Sequence, residues 1–341
     1  MTNIAELFRL NPKPLFLRLS LLAFIVGACI GYSFAQAKPL LLALNKQEST
    51  LAVIDPATMK VVGKVPTGDN PHEVVASADG KTAFVANYGA QKPGNSLSVI
   101  DLTTLKETRR VDLLPLVRPH GLVMGKDGKV YFTAEVNRLV ARYDPAANKV
   151  DWMSGTGQNG SHMLVLSPNQ KIIYTANISS NSVTVLEMQP SAPGPPKITH
   201  IPVGKQPEAI DISPDGKEVW VGLNSEGAID VVDVEANKFK EKINLGDRPY
   251  RVIFAPDGKR VFATLLTTKE LVVIDAATKK EIRRMKLESV PMGIVFSPDR
   301  KFVFLSVVQP DRVLKIDLDK MEIAGWVETG VAPDGLAFVG K

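Results

Sequence analysis

At 341 residues the chain is long enough for a large core, and that length alone does not demand two domains. Its 41 basic and 36 acidic residues leave a net charge of +5, without a basic run or stripe, which argues against nucleic acid as a partner. Cys29 is the only cysteine, so intramolecular disulfides and multi-cysteine zinc sites are excluded.

Arg9, Lys13 and Arg18 precede the apolar run LSLLAFIVGACIGYSF, which leads to Ala35-Gln36-Ala37. A basic region, an apolar core and a small-residue cleavage site in that order predict a secretory signal with a mature start at Lys38. Residues 1–37 are therefore read as a signal segment and 38–341 as one domain. Two other readings stand beside cleavage. Val26-Gly27-Ala28-Cys29 resembles a bacterial lipobox, in which Cys29 carries lipid, and the run would alternatively stay as a short anchor. All three predict export to the periplasm or beyond, with no membrane contact outside this segment.

Three short strands follow, over Leu40–Leu44, Leu51–Asp55 and Lys60–Val65. A proline with a short apolar strand then recurs: Pro71, Pro119, Ser161 in its place, Pro207, Pro249, Pro291 and Pro333. The steps are 48, 42, 46, 42, 42 and 42 residues. A period near 42 is that of a four-stranded propeller blade. The unit from Pro291 shows the plan. Gly293–Phe296 is the innermost strand A, and Ser297-Pro298-Asp299-Arg300-Lys301 a turn. Phe302–Ser306 is strand B, Asp311–Asp317 strand C and Glu322–Val327 strand D. Turns of the same chemistry recur at Asp79, Asp215 and Asp257, and Val-Ile-Asp or Val-Val-Asp ends strand C at Asp55, Asp101, Asp233 and Asp275. Recurrence in blade after blade marks these as turn chemistry. Gln189–Pro196, rich in proline, is an extended loop between strands C and D.

Seven anchors need seven sets of strands B to D, and six follow their own anchor. The seventh set is the one at the front. The sequence thus predicts an all-β, seven-bladed β-propeller of four-stranded antiparallel blades, closed by pairing the C-terminal strand Gly335–Val339 with the N-terminal blade.

Strand-B endings such as Phe84-Val85-Ala86-Asn87 and Tyr174-Thr175-Ala176-Asn177, with the Ser-Pro-Asp-Gly-Lys turns, resemble the YVTN family of bacterial β-propeller repeats over about residues 40–340. Val303–Val307 and Val261–Leu265 lack the asparagine, and Glu135 replaces it in another blade. The resemblance implies the fold. It leaves function open, because similar propellers include exported proteins, lactonase-like hydrolases, quinoprotein amine dehydrogenase subunits and haem-binding propellers.

The residues after the anchors are His72, His120, His162, Glu208, Tyr250, Met292 and Asp334. Three of the four histidines in the chain thus share one equivalent position, where D–A connections approach the channel mouth. The candidate ligand-binding set is His72, His120, His162, Glu208, Tyr250 and Asp334, with Glu135 from a strand-B end and Arg118 and Arg251 beside the ring. Arg118, Arg248 and Arg251 are expected to pair with Glu208 and Asp334 or to meet an anionic ligand. His72, His120 and His162 are also candidate ligands of a divalent metal ion, with Glu208 or Asp334 supplying an oxygen. The opposing reading makes each histidine a turn residue bonded to a loop carbonyl. Asn45, Asn87, Asn177 and Asn224 are read as hairpin caps, and His200, in strand D, is given no role. Gly155–Gly160 precedes a strand, so it lacks the helix N-terminus of a phosphate loop. No Gly-x-Ser-x-Gly elbow is present. The reading is an exported monomer binding a small ligand, cofactor or protein partner at this mouth. The alternatives are a metal-assisted lactonase-like hydrolase using the same residues and a non-catalytic scaffold.

Overall fold

The structure, a computed structural model, describes residues 39–188 and 195–340. The signal, lipobox and anchor readings, and residues 189–194 of the proline-rich insert, lie outside the described residues.

Within them are 28 strands and no helix. The strands form seven four-stranded antiparallel sheets, each running in simple order from an inner to an outer strand. The inner strands are Pro71–Ala76, Pro119–Met124, Ser161–Leu166, Pro207–Ile212, Pro249–Phe254, Val290–Phe296 and Pro333–Val339. We number the blades one to seven in that order. Each inner strand touches the next, and Pro333–Val339 touches Pro71–Ala76, which completes the ring.

Blade seven joins the chain ends. Pro333–Val339 pairs with Leu40–Asn45, with Leu40 opposite Val339 and Leu42 opposite Ala337. This leaves no open sheet edge at the seam. The anchor prolines lie inside the strands they were expected to precede: Val290–Phe296 begins three residues before the predicted Gly293. Proline is tolerated there because the free edge of an innermost strand has no ladder partner to satisfy.

The two middle strands of each blade are buried over nearly their whole length, as in Leu40–Asn45 and Glu270–Asp275, and pack between neighbouring blades. Phe84, Leu97 and Val99 of blade one pack with Leu122, Phe132 and Tyr143 of blade two. Trp220, Ile229 and Val231 of blade four meet Val252, Val261 and Val272 of blade five. The core is thus a set of sheet-on-sheet contacts arranged round an axis. The outer strands are polar by comparison, as in Lys106–Asp112, where only Val111 is buried.

Blades one to six carry the repeated turn at one end, where the inner strand passes to its neighbour. Asp79, Asp215 and Asp299 each accept a bond from the serine two residues before, at 2.6 Å. They also accept the backbone N–H two residues after, at 3.1 Å. Gly80, Gly216 and Gly258 sit at positive φ, where glycine has no Cβ penalty.

Candidate functional site

The opposite end of each blade is less regular. In all seven blades the register between the inner strand and its neighbour slips just after the anchor, for example between Pro71 and Glu73 and between Pro249 and Arg251. A bulge re-aims side chains locally. Here it accompanies the convergence of the residues after the anchors on one another across blades.

Small groups let the inner strands approach closely. A Cβ on Gly293 would stand 2.2 Å from the Asp334 carbonyl oxygen, and one on Gly335 2.3 Å from that of His72. Strand-B hydroxyls bridge neighbouring blades. Ser306 Oγ accepts the Gly293 N–H at 2.7 Å and donates to the Asp334 carbonyl at 2.6 Å. Thr133 links Gly121 to His162, and Thr264 links Arg251 to Met292, in the same way.

Blades one to three build a histidine arc. His72 Nδ1 lies 3.0 Å from His120 Nε2, and the His120 and His162 rings lie 3.7 Å apart at 32°. His162 is held from both sides: Nδ1 is 3.1 Å from Glu135 Oε2 and Nε2 is 3.2 Å from Glu208 Oε1. Burial alone would depress its pKa, but the bonds to these carboxylates raise it to about 9. His162 is therefore an imidazolium at neutral pH. Burial would raise Glu135 and Glu208, and His162 instead holds both below the usual carboxylate value. Burial lowers His72 to about 4, Asp334 opposing it. It lowers His120 well below 6.5, and the neighbouring His162 and His72 add to this. His120 is 1 % exposed, and its Nδ1 has no hydrogen-bond partner.

Blades five and seven, with Glu73 of blade one, carry an ion-pair arc. Asp334 is fully buried and accepts the Tyr250 hydroxyl at 3.2 Å and the Lys46 ammonium at 3.1 Å. Arg251 bonds Glu73 and stands 3.8 Å from Asp334. Burial raises Glu73 to about 7 against the pull of Arg251. It would raise Asp334 too, but Lys46 and Arg251 hold that carboxyl down. Burial pushes the Tyr250 phenol far up, and Asp334 adds to it.

The structure brings together His72, His120, His162, Glu135 and Glu208 in one cluster, and Tyr250, Arg251 and Asp334 in a second. Arg118 and Arg248 depart from the expected pairing with Glu208 and Asp334. The Arg118 guanidinium donates to the Gly89 carbonyl at 2.7 Å and the Ala90 carbonyl at 3.0 Å, and stacks 4.4 Å over Tyr88. Arg248 donates to Asn224 Oδ1 at 2.9 Å. Both find neutral acceptors in adjoining loops. Asn87 ties its hairpin to the preceding loop by donating to Ser96 and Ser98 and accepting the Gly68 N–H, whereas Asn224 donates to the Pro249 carbonyl of the next blade. His200 Nε2 is 2.7 Å from the Thr156 carbonyl oxygen.

Sequence reasoning passed over Lys46, Asn70, Glu73 and Tyr88. Tyr88 stacks on His72 at 4.5 Å and 29°, and donates to Glu135 at 3.1 Å. It opens the stretch between Thr82–Asn87 and Ser96–Asp101, a loop of eight residues where most blades use four. The 48-residue step from Pro71 to Pro119 was its trace, since repeat insertions map to loops on one face.

Among the described residues, no group of three or more His, Cys, Asp or Glu side chains is arranged to hold a metal ion. The His162 nitrogens face carboxylates and the His72 nitrogens face Asn70 and His120. A cleft of about 920 Å³ lies between blades four and five near their repeated turns. Lys240 and Lys279 in its lining both bond Glu218, so those charges are already paired.

No curated protein matches the chain. The fold is shared with solved structures of low identity. A hydrazine synthase chain from Kuenenia stuttgartiensis is 20% identical with a TM-score of 0.67, covering 80% of this chain and 95% of that one. A functionally unknown protein from Desulfotomaculum acetoxidans is 12% identical, with a TM-score of 0.75 and coverage of 88% and 99%. A candidate 6-phosphogluconolactonase from Bacteroides uniformis is 14% identical, with a TM-score of 0.72 and coverage of 89% and 100%. At such identities these likenesses concern the fold alone. A family model for YNCE-like beta-propellers matches residues 20–192, about half of the sequence, and the chain belongs to that family.

Proposed function

We propose that this propeller is an exported binding protein, periplasmic or secreted, that takes a small polar molecule at the mouth of its channel. The observation that carries the reading is the histidine arc. Three imidazoles from consecutive blades meet within hydrogen-bonding and stacking distance, and one buried ring nitrogen among them has no partner. An orphaned buried polar atom costs about 1–3 kcal/mol, a cost that a ligand would relieve. Turn residues would instead be bonded to their own loop carbonyls.

The charges at the mouth are already paired internally. His162 sits between two carboxylates, and Lys46 and Arg251 answer Asp334 and Glu73. A neutral ligand enters without breaking these pairs, whereas a charged one leaves a buried charge uncompensated. Binding is favoured over acid–base hydrolysis because His162, protonated and held at both nitrogens, is no general base.

Thermal-shift and calorimetric titrations test this with glucono-δ-lactone, δ-valerolactone, glucose, gluconate and pyrrole. At least one neutral compound is expected to stabilise the wild type, and His120→Phe is expected to abolish the effect while keeping the fold. A response only to gluconate would overturn the charge argument. Silence from every compound, with His120→Phe more stable than wild type, would make the mouth a packing feature of a scaffold.

A further inference from the structure

The neighbours of His72 decide which atom of His120 carries a proton. Asn70 Nδ2 lies 3.2 Å from the Gly89 carbonyl oxygen and 3.1 Å from His72 Nε2. A carbonyl oxygen only accepts, so the Asn70 amide presents its NH2 there, and the same NH2 donates to His72 Nε2. His72 Nε2 is then an acceptor. A neutral imidazole has one proton, which His72 must hold on Nδ1, facing His120 Nε2 at 3.0 Å. His120 Nε2 therefore accepts, and the His120 proton stands on Nδ1. That is the buried atom without a partner. Burial keeps both rings neutral, with His72 lowered to about 4.

We infer that the mouth recognises a hydrogen-bond acceptor oxygen of its ligand, a carbonyl or lactone oxygen, through the His120 Nδ1–H, and that Asn70 is the positioning residue that fixes this polarity. The inference rests on the ligand-binding reading above and adds the chemistry of the atom bound. His120 is sealed at 1 % exposure, so the acceptor enters as the half-buried His72 and Tyr88 rings part. Those rings are stacked on each other and lie on the long loop and the inner strand of the same blade. A ligand offering only donors meets the N–H head-on and is refused, because a buried donor facing a donor is left unpaired.

The relay is read directly by 15N NMR of the histidine rings, whose protonated and bare nitrogens have well-separated shifts. In the wild type, His72 and His120 are both expected to be protonated on Nδ1. Asn70→Ala removes the donor that imposes this order. Its His120 is expected to shift towards the Nε2 protonated form, which relieves the orphaned N–H. Two neutral probes of similar size then report on recognition: δ-valerolactone, which only accepts, and pyrrole, which donates. In Asn70→Ala the affinity for δ-valerolactone is expected to fall about tenfold, the scale of one hydrogen bond, while that for pyrrole rises. A purely structural role for Asn70 would weaken δ-valerolactone with no gain for pyrrole, and that result overturns the inference. Wild-type His120 protonated on Nε2 also overturns it, but leaves the ligand site standing. The expected tautomers with no response of the mouth to either probe, or to the other compounds, overturn the ligand site itself.

Discussion

The two ends of every blade are built from the same strands and differ in what repeats. At one end Asp79, Asp215, Asp257 and Asp299 do the same work in successive blades, each accepting backbone N–H groups of its own turn. At the other end no two arcs match: three histidines gather in blades one to three, and Asp334, Arg251, Tyr250 and Glu73 interlock across the ring. The repeated end is assembled from local bonds within five residues. The varied end is tied together by long-range bonds, from His162–Glu135 across 27 residues of sequence to Arg251–Glu73 across 178. Local bonds can be lost one at a time, whereas the long-range set is shared among blades and buried.

Removing residues 333–341 should have the largest consequence, because it strips Leu40–Asn45 of its inner partner and opens the ring. The cooperative thermal transition is expected to disappear, and an unchanged melting temperature would refute closure by this strand. Arg251→Met comes next. It leaves Glu73 and Asp334 buried with less compensation, and a loss of about 3–5 kcal/mol is expected in denaturant unfolding. A loss below about 1 kcal/mol would mean the ion-pair arc is loosely held.

The pH dependence separates the two ends as well. His162 rises from 6.5 to about 9 on folding, so its contribution is complete below pH 6.5 and is lost as pH climbs through 9. Glu135 and Glu208 are lowered, so their contribution is present above their ordinary values and is lost on acidification. Stability should therefore fall between about pH 6.5 and 9 by up to ~3 kcal/mol, and His162→Gln should flatten that limb. An alkaline limb that survives in His162→Gln would assign it elsewhere.

Thr264→Val removes one hydroxyl bridge between blades five and six and leaves the Arg251 N–H and Met292 carbonyl without it. About 1–2 kcal/mol is the expected cost, measured by the same unfolding curves. Asp257→Ala, at the repeated end, should cost about 0.5 kcal/mol and leave the histidine ring shifts in NMR unmoved. A change at the mouth in this variant would show that the two ends are coupled.

Much of the architecture was legible because propeller strands are short and their turns recur. Pro-Asp-Gly-Lys at positions 214–217 and 256–259 explains itself once it is seen twice. Blade count, strand order and the closing pair of Leu40–Asn45 with Pro333–Val339 followed from counting anchors. The site was legible only as a set of positions. His72, His120, His162, Glu208, Tyr250 and Asp334 stood out because they vary where all else repeats. Glu73 did not, since it lies one place further on and becomes a ring member only beside the bulge after Pro71. Tyr88 was hidden in a loop that Arg118 clasps through the Gly89 and Ala90 carbonyls, and Asn70 in the loop before Pro71. Arg118 itself was expected at the acids and is instead that clasp.

The sequence by itself determined the number of blades, the turn at one end and the residues brought to the other, because periodic hydrophobicity and turn chemistry are local properties of the chain. Only the tertiary structure decided which of those residues touch. It made His162 a cation between two carboxylates and kept His72 and His120 neutral. It also left one nitrogen of His120 unpartnered. Charge state and hydrogen-bond polarity depend on burial and on partners from distant blades, and these exist only once the ring has closed.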